Sequence, residues 1–180
     1  AGVDLVACAG FLAADSCWPC GRRTAGSDLF GVNKWLCRIT VDLIFPDPYL
    51  LSDRNRHTSP QLDEIVRDLR RDGPLKVAAA RFGQKFLEQP QALIHGDLHS
   101  GSVMVTQNDT RVIDPDFAFY GPIGFDLGAF FGNLLLSWYS QPGHATARAA
   151  RPGFRPWILD QARTFRETFR PGFPRLPCGT

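Results

Sequence analysis

The chain has no long block of lysine and arginine, no unbroken apolar run of membrane-spanning length, a single methionine and no cysteine framework. Each absence removes a class of function. Twenty basic and eighteen acidic side chains are interspersed to a formal net charge of +2. No basic stripe can track a phosphate backbone, and nucleic acid is not an expected partner. The longest apolar stretch, GFDLGAFFGNLLLSWY from Gly124 to Tyr139, is interrupted by Asp126 and Asn133. It falls short of the roughly 20 residues that cross a bilayer, so no membrane partner is expected and the stretch reads as a buried core helix. Five cysteines (Cys8, Cys17, Cys20, Cys37 and Cys178) are an odd number without framework spacing, which fits a reduced, cytoplasmic setting. The start, AGVDLVACAGFLAADSC, has neither an initiator methionine nor a basic n-region, so no secretory leader is expected. CWPC at Cys17 to Cys20 has redox and zinc spacing, but no second pair completes four ligands and no strand-helix context surrounds it. Coincidence explains it best.

What is present is an ordinary globular composition. With 44% hydrophobic and 21% charged residues over 180 positions, the chain can build one core but not two comfortable ones. Residues 1–30 show no sustained period and remain unassigned, as does the tail 171–180; one unit over 31–170 is the expected organisation. From Leu43 the Pro- and Asp-rich LIFPDPYLLSDRNRHTSP reads as a long connection, with a helix starting at Ser59-Pro60, where serine can cap and proline suits the first turn. Leu62, Ile65, Val66 and Leu69 fall on one face of that helix, which is expected to end at Gly73-Pro74. Leu75, Ala78, Ala79, Phe82 and Phe86 mark a second helix, and both stripes are expected to pack into the core.

After Pro90 the period changes. ALI, SVMV and RVI are short apolar runs and TQNDT is a polar turn, so Ser102 to Ile113 is expected to form a small hairpin. The loop HGDLHSG precedes the hairpin and DPDF follows it, which brings two acidic loops to the same end of the strands. Asp97 or Asp114 alone would be ordinary turn chemistry. Together they are the parts that phosphoryl transfer uses: one carboxylate to take a proton from an alcohol, another to hold a divalent cation. The alternation His95-Asp97-His99 also invites a metal-hydrolase reading, but only His57 and His144 remain to complete its ligands.

HGDLHSGSVMV followed by VIDPDF resembles the catalytic and metal-binding loops of the protein-kinase-like small-molecule kinases. With DPDFAFYGPIGFDLGAFFGN added, the sequence is similar to the methylthioribose kinase family over roughly residues 36–170. The resemblance implies an α+β, mostly helical fold: the C-terminal lobe of a protein-kinase-like fold, with a small β-hairpin carrying the catalytic loops. It implies ATP and Mg2+ as cofactors, and phosphorylation of the 1-hydroxyl of 5-methylthioribose, a small-molecule substrate of methionine salvage. For a full-length protein it also allows a homodimer. By the same resemblance Asp97 is the catalytic base. Ser102 and Asp114 serve the nucleotide, Asp114 and Asp116 the metal, and His95, His99 and Asp126 support the loop. Asp116 stands where the family has glutamate, one methylene longer, and His57 where a tryptophan is expected. Nothing in residues 1–92 resembles a phosphate-covering Gly-rich loop or its strand lysine, so the expectation is an incomplete copy. The alternatives are a non-catalytic lobe remnant and a kinase of the choline or aminoglycoside type.

Overall fold

A computed structural model describes residues 34–89, 91–144 and 151–172. The CWPC segment, the unassigned residues 1–30 and residues 173–180 of the unassigned tail lie outside the described residues; residues 171–172 continue the last helix. Among the described residues five α-helices and two short strand pairs follow in chain order: α1 (Lys34–Ile44), a 3-10 turn (Asp47–Tyr49), α2 (Asp63–Arg71), α3 (Gly73–Glu88), β1 (Ala92–Ile94), a second 3-10 turn (Ser100–Ser102), β2 (Val103–Val105), β3 (Thr110–Val112), β4 (Phe119–Gly121), α4 (Ile123–His144) and α5 (Phe154–Gly172). The expected α+β, mostly helical class is what the chain forms. Among the described residues no helix is long and apolar enough to cross a membrane.

The hairpin is where the sequence puts it. Val103 pairs with Val112 and Val105 with Thr110, and the turn between them closes on Thr106, whose Oγ1 accepts the Asp109 N–H at 2.9 Å. β1 pairs not with this hairpin but antiparallel with β4, Leu93 opposite Tyr120. The segment between those partners therefore leaves one sheet, makes the hairpin and returns. Both acidic loops lie within that excursion.

The core forms around aromatic side chains. Phe86 of α3 meets Phe119 of β4 and Phe125 of α4, with centroids 5.0 and 4.6 Å apart, while Phe130 of α4 meets Phe165 of α5 at 4.8 Å. Phe86, Phe130 and Phe165 are all fully buried, each worth about 1.5–3 kcal/mol of transfer free energy. The first turns of α4 are thereby clamped between α3, the β1–β4 pair and α5, which fixes the helix start that faces the loops.

Four expectations need correction. The helix expected to begin at Ser59-Pro60 begins at Asp63, with Leu62 at its N-cap and no side-chain cap. The Ser59 hydroxyl donates instead to Asp63 Oδ2 at 3.0 Å, so it serves the first-turn carboxylate and not the helix N–H groups. The stripe Leu62, Ile65, Val66 and Leu69 is not core: α2 buries no residue and Ile65 is 57% exposed. A nine-residue helix whose other positions are mostly charged can present that stripe outward. Phe82 of the next stripe is exposed too, although Ala79 and Phe86 are buried. Finally, the helix through Gly124–Tyr139 is buried only near its start, at Ile123, Asp126 and Phe130; Leu136 and Tyr139 are exposed. Helix α1, strand β4 and helix α5 were not anticipated as elements.

Candidate active site

The loop between β1 and the hairpin is built from backbone donors and the side chains that receive them. Asp126, on the first turn of α4, is completely buried. Its carboxylate accepts the His95 N–H at 2.6 Å and the Gly96 N–H at 3.0 Å. Two turns further along the same helix, Asn133 Oδ1 accepts the Ser100 N–H at 3.1 Å. One helix face thus holds both ends of the loop, and Asp97 lies between the two attachments with its side chain 60% exposed.

The histidines work inward. His95 is buried; its Nδ1 lies 3.3 Å from the Asp97 N–H and its Nε2 2.9 Å from the Ile113 carbonyl. A ring that accepts at Nδ1 and donates at Nε2 is the neutral Nε2–H tautomer. His99 Nδ1 accepts the Gly101 N–H at 3.0 Å, and its Nε2 lies 3.7 Å from Asp97 Oδ2. Ser102 is buried and its hydroxyl donates to the Asp97 carbonyl at 3.2 Å.

The second acidic loop is tied to the first. The Ile113 N–H donates to the Ser102 carbonyl at 2.9 Å, and the Ile113 carbonyl receives His95. Asp114 follows with φ 66°, a left-handed conformation that aspartate tolerates better than most residues and that recurs at functional sites. Gly96, at φ +82°, lies against Phe117: a Cβ there would sit 2.9 Å from the Phe117 carbonyl carbon and closer still to its oxygen. Gly96→Ala is therefore expected to separate the two loops and to destabilise the fold by roughly 1–3 kcal/mol, combining backbone strain with a forced shift. Urea unfolding measures the loss; a variant within a few tenths of a kcal/mol of the parent would mean that the loops part at no cost.

Asp97, Asp114 and Asp116 are all exposed. Among the described residues no lysine or arginine lies within ion-pair distance of any of them. Unneutralised hard oxygen donors fit Mg2+, which is commonly held by one or two carboxylates with the remaining positions filled by water and phosphate. Among the described residues no three His, Cys, Asp or Glu side chains converge as a ready-made metal cage, which is compatible with such shared coordination.

Burial pushes the Asp126 carboxyl above the ordinary carboxylate range, and the His95 and Gly96 N–H groups pull it part of the way back. A carboxyl with a raised folded-state pKa binds its proton more tightly folded than unfolded. Its stabilising contribution is whole below the ordinary value of 3.8 and is lost as pH rises through the raised one. Urea unfolding of the parent and Asp126→Asn from about pH 4 to about pH 8 should show the parent's margin shrinking as pH rises. A margin that grows with pH would mean that the two N–H donors outweigh burial.

Asn133 was met in the sequence only as a polar interruption of an apolar stretch. The signal was available: it stands seven residues after Asp126, two helical turns along the same face.

The phosphotransferase enzyme family model matches residues 29–164. Over 144 residues the chain is 47% identical to methylthioribose kinase 1 of Oryza sativa subsp. japonica, covering 80% of this chain and 34% of that protein. It is 48% identical over 132 residues to methylthioribose kinase of Escherichia coli O45:K1, covering 73% and 32% respectively. Against methylthioribose kinase of Yersinia pestis strain Pestoides F the figures are 45% over 144 residues, 80% and 35%. The chain spans about a third of the length of the curated relatives it matches.

Proposed function

Because the chain belongs to the phosphotransferase enzyme family, we propose that it supplies the catalytic loops of an ATP- and Mg2+-dependent kinase acting in the cytoplasm on the 1-hydroxyl of 5-methylthioribose. The observation that carries this reading is the loop geometry: Asp97 projects to solvent from a loop pinned by Asp126 and Asn133, and the Asp114 backbone is bonded to that loop through Ile113. The identity to methylthioribose kinases supports the choice of alcohol.

Asp97 accepts the proton of the sugar 1-hydroxyl as its oxygen attacks the γ-phosphorus of ATP. The new P–O bond forms as the bond to the β-phosphate oxygen breaks, and ADP leaves with that electron pair. Asp114 and Asp116 would hold Mg2+, which neutralises phosphate charge when bound. Asp126, His95, His99, Asn133 and Ser102 keep the loop backbone in place, so that little reorganisation is left for the reaction itself.

The test is a chimera in which the matched residues of the Escherichia coli relative are replaced by those of this chain, assayed for ADP release with methylthioribose, choline and an aminoglycoside. Methylthioribose-dependent release is expected; turnover of choline in its place would overturn the substrate. The 180-residue chain alone is expected to show no turnover and no micromolar ATP affinity, since positioning supplies most of the catalysis in phosphoryl transfer and the chain matches about a third of its relatives' length. Measurable turnover by the isolated chain would place a complete nucleotide site within it.

A further inference from the structure

A concavity of about 560 Å³ lies between α2, the start of α3 and the connection after α1. It includes no residue of the loops described above. The helical period of α2 puts Asp63, Val66, Arg67 and Arg70 on one face, and Arg71 and Lys76 extend the basic wall across the junction with α3. The acidic residue of the lining, Asp63, is already engaged by His57 Nε2 and by the Ser59 hydroxyl, both at 3.0 Å.

Elsewhere in the described residues several arginines find partners. Arg38, Arg54, Arg111 and Arg163 pair with aspartates, and Arg155 lies 3.7 Å over the Trp138 ring. In the cleft, Arg67, Arg70, Arg71 and Lys76 have no carboxylate within ion-pair distance among the described residues. Guanidinium forks match phosphate oxygens in geometry as well as charge. The same lining includes the apolar side chains of Tyr49, Leu50 and Leu51, with Leu51 87% exposed. The volume is that of a small-molecule site.

We propose that this cleft binds a small phosphate monoester, the phosphate held by Arg67, Arg70, Arg71 and Lys76 and an apolar substituent laid against Tyr49, Leu50 and Leu51. The site stands on its own geometry and is independent of the kinase reading.

Calorimetric titration of the 180-residue chain with phenyl phosphate, inorganic phosphate and phenol tests it. Saturable binding of phenyl phosphate, tighter than inorganic phosphate, with none of phenol, is expected. The double variant Arg67→Gln, Arg70→Gln should lose affinity by roughly tenfold or more, while the surface pair Arg81→Gln, Arg166→Gln, with the same charge change, keeps it. Circular dichroism melts establish that both variants fold; should the cleft variant not fold, Lys76→Gln alone is expected to weaken both phosphates. Leu51→Ser should weaken phenyl phosphate and leave inorganic phosphate unchanged. Equal losses in the cleft and surface variants, no saturable phosphate binding, or binding of oligoglutamate in preference to phenyl phosphate would each overturn the proposal.

Discussion

In the chimera, Asp97→Asn is expected to lower kcat by roughly 10²–10⁴-fold while the Kd for ATP stays within about threefold. The substitution keeps size and shape but removes the proton acceptor. It leaves intact the attachments that shape the loop, because these run through the Asp97 N–H, which reaches toward His95, and the Asp97 carbonyl, which receives Ser102. Neither uses the carboxylate, whose ring neighbour is His99, 3.7 Å away. Single-turnover kinetics and nucleotide titration separate the two quantities. A parallel loss of ATP affinity would move Asp97 from proton transfer to nucleotide binding. Asn133→Ala offers a contrast: it removes an acceptor for the Ser100 N–H and leaves Asp97 chemically whole, so it should lower kcat less and be partly rescued by Asn133→Asp, which keeps an oxygen at that position.

How much of this was legible depends on which physical signal each residue carries. The hairpin was readable because Ser102 to Ile113 alternates short apolar runs with a turn whose chemistry is local, and it formed with Val103 opposite Val112. Strand β4 was not, since FYG is too short to show a period and becomes a strand only by pairing with β1, whose residues lie more than twenty positions earlier. The buried state of Phe86 and the exposed state of Phe82 could not be separated by spacing, because both satisfy the same helical stripe. Neighbours such as Phe45, Phe119 and Phe125 distinguish them. Helix α2 failed for a related reason. Its apolar stripe is regular, but a stripe says which residues share a face and not that anything covers it. In the candidate site the aspartates were visible as residue types. The bonds from Asp126 and Asn133 to backbone thirty or more residues away were not, because backbone N–H groups leave no trace in a sequence.

The metal loop gives the other large effect. Asp114→Ala in the chimera is expected to abolish turnover at every Mg2+ concentration and to weaken Mn2+ binding in the nucleotide complex, read by water-proton relaxation, which does not depend on activity. The backbone just before Asp114 is held at both polar groups: the Ile113 N–H by the Ser102 carbonyl and the Ile113 carbonyl by His95 Nε2. The Asp114 carboxylate is therefore carried from a fixed point of the backbone. Removing it takes a full negative charge from the position where a divalent cation would meet phosphate. Asp116 lies two residues beyond that fixed backbone, so its carboxylate is carried from a point the Ile113 bonds do not hold. Lengthening it by one methylene in Asp116→Glu should therefore preserve or raise activity, because a longer arm reaches at least as far. Inactivation by Asp116→Glu, with Mn2+ affinity unchanged, would show instead that the shorter carboxylate makes a contact for which length matters more than charge. The two acidic residues of DPDF would then divide the work, with Asp114 holding the cation and Asp116 fixing the loop.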